Sequence, residues 1–340
     1  MPIPSSEQYL EMLDNAKQKE FAFPAINVTS LITANAALAA FAESKSDGII
    51  QFSLGGAKFA SGTALGDPVL GAISVAEHVH RVAEKLDVFI ALHTDHCQKP
   101  ELGFVNGLLD ESEKRKSDGQ INLFNGHMFD GSALSLRENI DTAKPLLKRC
   151  GELGIILEVE AGIVGGEEEG AASTGDHSKM YTSPEDMLYV ADQLFPLESR
   201  FMFAATFGNV HGIYKPGNVK LKPEILKLGQ AAVTEKYGKD QSFDLVFHGG
   251  SGTPVEQIHE TLGYGVVKMN VDTATQFAFT KAIAEHVRLA GDLITQVDGE
   301  GSKKLYDPRS YLKKAELSMK ARVLQASTEL RSLGQSIFRR

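Results

Sequence analysis

Eight short apolar runs, separated by segments of helical character, constrain the fold of this chain more than any other feature of the sequence. The runs end at or near eight polar positions, which are Asn27, Ser53, His96, Asp130, Glu160, His211, His248 and Asp272. Near-continuous apolar composition is typical of strands that are buried on both faces, and parallel strands need helical crossovers between them. The alternation therefore predicts a closed (β/α)8 barrel of the TIM type, with an extra N-terminal helix and a C-terminal helical extension over about 306–340.

The whole chain, residues 1–340, is predicted to form one barrel domain. Its length would also allow two domains, but barrels of this class routinely exceed about 250 residues as a single unit. The main structural alternative is an open, doubly wound sheet. Such a sheet usually carries a GxGxxG turn after its first strand, whereas here the first run continues into NVTSLITANAAL.

Composition excludes several classes of partner. The net charge is −9, and no basic stretch is long enough to follow a phosphate backbone, so we expect no nucleic-acid partner. No segment approaches the roughly 18–20 apolar residues that span a bilayer, so we expect no membrane partner. Cys97 and Cys150 are too few to form a disulfide framework, which favours a reducing, cytoplasmic location.

Three histidines fall at the predicted carboxyl ends of strands, where the active sites of such barrels lie. They are His96, His211 and His248. A single histidine in a strand is about as often a hydrogen-bonded core residue, but three imidazoles that leave one position open form a ligand set of catalytic zinc. Cys97 is interpreted as a packed residue, because a fourth protein ligand would close that open position.

The runs FHGGSG and KMNVDTAT follow the last two strands, where barrels of this type often hold a phosphate group. Gly249, Gly250 and Ser251 allow the backbone to approach an oxyanion closely. The same residues could form no more than a tight turn, but their position favours a phosphate site.

Several segments together resemble the class II fructose-1,6-bisphosphate aldolases, in order and along nearly the whole chain. They are LHTDHC, LEVEAGIVGGEEEG, TFGNVHGIYKPGN, FHGGSG and KMNVDTATQFA, and the tail segment YDPRSYL is similar to the long form of that family. The resemblance implies a lyase that reversibly cleaves fructose 1,6-bisphosphate to dihydroxyacetone phosphate and glyceraldehyde 3-phosphate, in glycolysis and gluconeogenesis. It also implies a sugar-phosphate substrate and a homodimer or higher homo-oligomer.

The resemblance also implies a role for individual residues. His96, His211 and His248 match the zinc ligands, and Asp130 and Glu160 match a second divalent metal position. Asp95 matches the acid/base aspartate, and Glu168, within the run Glu167 to Glu169, matches the glutamate that moves the other proton. The predicted substrate- and phosphate-binding positions, several of them around a monovalent Na⁺ or K⁺ ion, are Asn27, Ser53, Gly212, Gly249, Gly250, Ser251, Asn270, Val271, Asp272 and Thr273. Arg309 matches an arginine that reaches the second phosphate from a neighbouring subunit.

Other functions remain open at this stage. An aldolase for tagatose bisphosphate, a metal-dependent barrel hydrolase or isomerase, and a non-catalytic sugar-phosphate-binding protein are the alternatives. Lys268 could form a Schiff base, as in class I aldolases, but three candidate metal ligands favour an ion-pairing role for it. The glycine- and glutamate-rich segment from Gly162 to about Thr182 is predicted to be a lid that brings Glu168 to the site.

Overall fold

The computed structural model describes residues 2–162, 165–166, 180–211, 220–238, 240–296 and 303–339, with the backbone alone at 165–166 and 210–211. Its strands are Phe23–Asn27 (β1), Gly48–Phe52 (β2), Ile90–Thr94 (β3), Gly126–Asp130 (β4), Ile156–Ala161 (β5), Gly165–Gly166 (β6), Phe201–Ala205 (β7), Val210–His211 (β8), Asp244–Phe247 (β9) and Val266–Asn270 (β10). Eight of them close into a parallel barrel in the order β1, β10, β9, β7, β5, β4, β3, β2, and β6 pairs with β8 outside it. The predicted (β/α)8 barrel is confirmed.

Most of the helices follow barrel strands and cover them from outside, whereas the first helix precedes β1. The helices are Ser6–Gln18 (α1), Leu31–Ser44 (α2), Leu54–Ala60 (α3), Pro68–Ala83 (α4), Gly103–Ser117 (α5), Leu136–Leu153 (α6), Pro184–Leu194 (α7), Glu224–Tyr237 (α8), Val255–Leu262 (α9), Thr273–Ala290 (α10), Lys303–Tyr306 (α11) and Pro308–Glu329 (α12). The predicted extra N-terminal helix is α1, and the predicted C-terminal extension contains α11 and α12. Helix α12 packs against α2 and α10. The prediction of one domain over residues 1–340 stays a prediction.

Capping residues fix where two of these helices begin. Ser5 accepts a hydrogen bond from the backbone of Gln8 before α1, and the Gln8 side chain accepts one from the backbone of Ser5 in return. Ser183 and Asp186 form the same reciprocal pair before α7, with Pro184 at the first helical position. These contacts satisfy backbone N–H groups that a helix start otherwise leaves unpaired.

The barrel interior is apolar at the end where the strands begin. Helix α1 closes that end, because Met12 and Leu13 are buried against interior residues such as Phe23 and Val246. The Tyr9 hydroxyl lies 2.7 Å from the buried Nε2 of His93, so a histidine of β3 is held as a hydrogen-bonded core residue. A second, larger apolar core lies between the strands and the outer helices. The end of the interior that α1 covers is therefore mainly apolar, and the polar residues lie in the middle of the barrel and toward the carboxyl ends of the strands.

The sixth barrel strand ends earlier than the sequence indicated. We expected the run FMFAATFGNVHG to end near His211, but β7 ends at Ala205. Gly208 adopts a positive φ of 90°, and the backbone N–H of Phe207 donates to Oδ1 of Asn209 at 2.9 Å. This turn ends the ladder, so His211 lies in the separate strand β8, which pairs with β6.

Both described ends of the chain are tied to the face where the strands begin. The backbone N–H of Ile90, the first residue of β3, donates to the carbonyl of Pro2 at 2.8 Å. The buried carboxylate of Asp47 accepts hydrogen bonds from Ser336 and from the backbone N–H of Ile337. Within the residues that the structure describes, no helix combines the length and apolar character needed to cross a bilayer.

Candidate metal and active site

Two of the three predicted zinc ligands converge at the mouth of the barrel. His96 lies two residues beyond β3 and His248 directly follows β9, so the parallel topology brings them to the same end. Nε2 of His96 lies 2.9 Å from Nδ1 of His248, and the two rings are nearly perpendicular. One ring nitrogen each of His96 and His248 and a carboxylate oxygen of Asp95 all lie within 4.8 Å of one another. The third predicted ligand, His211, has a described backbone in β8, but its side chain lies outside the described part of the structure.

The outer nitrogen of each imidazole faces a carboxylate. Nδ1 of His96 lies 3.1 Å from Asp130 and 3.3 Å from Glu160, the residues that the sequence placed at a second metal position. These three residues form a further group of candidate metal ligands. Nε2 of His248 lies 2.7 Å from Oε1 of Glu158. An imidazole that binds metal through one nitrogen usually donates its other N–H to a carboxylate, and this donor set fits a divalent metal ion such as zinc.

The electrostatics of the cluster favour a cation. Burial lowers the pKa of His96, but the charges of Asp95 and Glu160 more than offset this and hold its pKa well above the usual value. Burial raises the pKa of Asp130, but the hydrogen bond with His96 and the charge of His96 outweigh burial. The pKa of Asp130 therefore lies well below its ordinary range. Burial also lowers the pKa of His248, which favours the neutral imidazole that metals bind. The carboxylates therefore surround a position where positive charge is stabilised.

The carboxylate of Asp95 is held by two amides. Asn27 donates to Oδ2 of Asp95 at 2.7 Å, and Asn270 donates to Oδ1 at 3.0 Å. Gln51 in turn donates to Oδ1 of Asn27 at 2.5 Å, which fixes the orientation of that amide. Burial raises the pKa of Asp95, but the charges of His96 and Lys268 outweigh it, so the pKa lies below the usual value. Asp95 is thus a buried, ionised carboxylate with a defined orientation beside His96.

Sequence reasoning missed two residues of this network, Glu158 and Gln51. Glu158 lies two residues before Glu160 in β5 and points the same way into the barrel. Its signal in the sequence was this shared parity within the run ILEVE, just as Gln51 was a polar residue inside an apolar run. Lys268 was expected to form an ion pair, and its Nζ lies 2.8 Å from Oε2 of Glu158.

The segment after β9, predicted to bind a phosphate, has a backbone that requires glycine at several positions. Gly249 and Gly252 have positive φ values of 67° and 85°, a conformation that glycine adopts without strain. A Cβ atom at Gly250 would lie 1.9 Å from Cε of Met269, so a larger residue would collide with β10. Ser251, which lies between Gly250 and Gly252 in the sequence, is also buried. The loop therefore needs these glycines, and its backbone lies beside His248.

The remaining predicted binding positions lie around the same end of the barrel. Ser53 follows β2 and accepts a hydrogen bond from the backbone of Gly56 at the start of α3. Val271 and Asp272 link β10 to α10, whose first residue is Thr273. Each of these positions directly follows the carboxyl end of a strand, as the sequence indicated. Their contacts with a substrate stay predictions.

One described residue of the predicted set, Arg309, lies apart from this cluster, and two others fall outside the described residues. Glu168 and Gly212 lie outside the described residues, as do most positions of the predicted lid. Arg309 is described, but it stands at the start of α12 with an 88% exposed side chain whose guanidinium donates to Asp307.

The comparisons with known proteins agree with this geometry. A profile of the family "Fructose-bisphosphate aldolase class-II" matches residues 7–335. A fructose-bisphosphate aldolase of Mycobacterium tuberculosis is 53% identical over 343 residues, covering 99% of each chain, and that of Corynebacterium glutamicum is 51% identical over 342 residues with the same coverage. The solved structure of fructose-bisphosphate aldolase from Campylobacter jejuni has a TM-score of 0.86 at 40% identity and covers 98% of this chain and 97% of its own.

A closed parallel barrel with imidazoles and carboxylates grouped at its mouth is the architecture of a barrel enzyme whose site could hold a divalent metal ion. The chain belongs to the class II fructose-bisphosphate aldolase family. It is accordingly a lyase, and the predicted family and enzyme class are confirmed.

Proposed function

We propose that this chain catalyses the reversible cleavage of fructose 1,6-bisphosphate to dihydroxyacetone phosphate and glyceraldehyde 3-phosphate with zinc as its metal. The observation that carries the proposal is the convergence of Nε2 of His96 and Nδ1 of His248 at 2.9 Å, next to the carboxylate of Asp95. His96, His248 and His211 would hold the zinc ion. When bound, it acts as a Lewis acid that stabilises the negative charge developing on the ketone half of the substrate.

Asp95 moves the first proton. Its carboxylate takes the proton from the C4 hydroxyl, the C3–C4 bond breaks, and the bonding electrons stay on C3. Asn27 and Asn270 hold this carboxylate in one orientation, so no reorientation is needed when the proton moves. Glu168, on the predicted lid, then delivers a proton to C3 and completes dihydroxyacetone phosphate. The reverse transfers run in condensation.

The phosphate groups bind away from the breaking bond. The loop Gly249–Ser251 and the residues Val271–Thr273 would contribute backbone N–H and hydroxyl donors for one phosphate, and would surround a monovalent cation, Na⁺ or K⁺. Asp130 and Glu160 form a second divalent position beside the first. Binding energy from these remote contacts is available to orient the reacting carbons.

A chelation assay with a trapping control tests this proposal. Cleavage of fructose 1,6-bisphosphate should disappear with EDTA, return with zinc, and be unaffected by borohydride in the presence of substrate. Inactivation by borohydride would instead indicate an imine on Lys268, and full activity after complete removal of metal would refute the proposal. Tagatose 1,6-bisphosphate serves as the competing substrate and should be cleaved more slowly.

Arg309 is proposed to act in a neighbouring subunit of a homodimer or higher homo-oligomer. Its exposed position at the start of α12 leaves the guanidinium accessible to a second copy. Coexpression of Asp95→Ala and Arg309→Ala chains tests this directly. In mixed oligomers, the Arg309→Ala subunit keeps Asp95 and receives an intact arginine from its partner, so activity should exceed that of either variant alone. If the activity of the mixed oligomers did not exceed that of either variant alone, the assignment would be refuted.

In the cell, the enzyme is proposed to serve glycolysis and gluconeogenesis in the cytoplasm.

A further inference from the structure

An ion pair crosses the barrel interior one layer below the candidate metal site. Lys268 in β10 and Glu158 in β5 are both fully buried, and Nζ lies 2.8 Å from Oε2. Each is two residues before a polar residue of the mouth, Asn270 and Glu160, and points the same way. We propose that Lys268 is a positioning residue for both halves of the site, orienting His248 through Glu158 and Asp95 through Asn270.

The first branch leads to the metal. The Glu158 carboxylate bridges Lys268 and His248, because its Oε2 accepts from Lys268 and its Oε1 lies 2.7 Å from Nε2 of His248. An ionised carboxylate can only accept, so Nε2 carries the hydrogen and Nδ1 keeps its lone pair. Nδ1 is the atom that lies 2.9 Å from Nε2 of His96. Lys268 holds Glu158 in the position that selects this tautomer.

The second branch leads to the acid/base group. Lys268 also donates to Oδ1 of Asn270 at 2.8 Å. This contact decides which way the amide faces, since the Nδ2 group must then point away from Lys268. Nδ2 donates to Oδ1 of Asp95 at 3.0 Å and lies 3.2 Å from Nδ1 of His248. One ammonium group therefore sets the direction of a hydrogen bond to Asp95.

The surroundings of Lys268 explain why a lysine stands here. Its ammonium donates to one carboxylate and one amide carbonyl, and the side chain has no exposed surface. Its amine is thus enclosed by acceptors, whereas a nucleophilic amine must be reachable by substrate. The pair is also sensitive to truncation, because removal of one partner leaves an uncompensated buried charge.

A double-mutant cycle on metal affinity tests the first branch. The dissociation constant for zinc is measured by competition with a chromophoric chelator, without substrate, for wild type, Lys268→Met, Glu158→Gln and the double variant. Each single variant should bind zinc about 10–100-fold more weakly, the usual effect of losing an outer partner of a ligand. The zinc dissociation constant of the double variant should not exceed the larger of the two single-variant constants, since Lys268 acts on the metal through Glu158. The proposal would be overturned if Lys268→Met left the zinc dissociation constant unchanged. It would also be overturned if the effects of the two single variants multiplied in the double variant.

Turnover at saturating zinc tests the second branch. Lys268→Met should lower kcat by roughly 10–100-fold in the Glu158→Gln background as well, because a misplaced Asp95 slows proton transfer. The absence of this extra loss would overturn the second branch. If Lys268→Met does not fold, Lys268→Gln replaces it, since its single amide cannot donate to both partners in the geometry of an ammonium.

Arg200→Met provides the matched control. Arg200 donates to the buried carboxylate of Asp244 at 2.7 Å, at the end of the barrel where β7 and β9 begin. Arg200→Met should lower Tm and leave the zinc dissociation constant unchanged. If it weakened zinc binding as much as Lys268→Met does, the effect of Lys268→Met would be attributed to a general loss of stability.

The acid/base part of the inference rests on the proposed function. If wild type bound zinc but did not cleave fructose 1,6-bisphosphate, the proposed function would fail while the zinc measurements still decided the first branch.

Discussion

Replacement of Asp95 by alanine should lower kcat by about 10²–10⁴-fold, the usual contribution of a positioned acid/base group. At 1.36 kcal/mol for each factor of ten, this corresponds to a barrier higher by about 3–5 kcal/mol. The structure adds a second effect, because Asn27 and Asn270 both donate to this carboxylate. Two buried amides that lose their acceptor destabilise the fold by about 1–3 kcal/mol each.

Asp95→Asn separates these two effects. Its side chain has the same shape and keeps one oxygen, so one of the two amide donors retains an acceptor. We expect Asp95→Asn to unfold at a higher temperature than Asp95→Ala while losing turnover to a similar degree. Both variants should retain zinc, since the imidazoles remain. Turnover is measured at 25 °C by coupling glyceraldehyde 3-phosphate to a dehydrogenase, with zinc content determined on the same samples. A kcat for Asp95→Ala within tenfold of wild type would remove Asp95 from the acid/base role.

Three further predictions concern the fold. Burial raises the pKa of Asp47 to about 6, so its contribution to stability is complete below its unfolded pKa and is lost as pH rises through about 6. The free energy of unfolding in urea should fall by about 2 kcal/mol between pH 4 and 6.5 because of this group, at 1.36 kcal/mol for each unit of pKa shift, and Asp47→Asn should lack that decline. Burial raises the pKa of Cys97 and of Cys150 to about 12, so a thiol reagent such as DTNB should label neither in the native protein and both in denaturant; rapid native labelling would contradict this. A Cβ at Gly126 would lie 2.1 Å from the ring of His93, so Gly126→Ala should lower the free energy of unfolding by about 1–3 kcal/mol, and an unchanged urea midpoint would argue against this packing.

The sequence was sufficient to predict the barrel, and the reason is physical. Strands buried on both faces must be apolar along their length, so a polar residue at the end of such a run marks where the strand reaches the mouth. Asp95, His96 and His248 were found this way, although 152 positions separate the two histidines. Parallel topology alone then predicts that they meet.

The connections across the barrel could not be predicted in the same way. The sequence shows that Glu158 and Lys268 point inward, but not which partner each reaches across the interior, since that depends on strand stagger. The shift in register between Val266 and Lys268 is one such local feature. The end of β7 was missed for a related reason, because a turn at Gly208 interrupts a run whose composition continues to favour a strand.

The anchoring of Pro2 and Ile337 at the face where the strands begin has a practical consequence. The candidate metal site opens at the opposite face, so an affinity tag or a linker joined near residue 2 or residue 339 emerges on the far side of the barrel. A sensor surface or resin coupled through either position would leave the catalytic entrance turned toward solution. Attachment through residues of the loops at that entrance would block it instead.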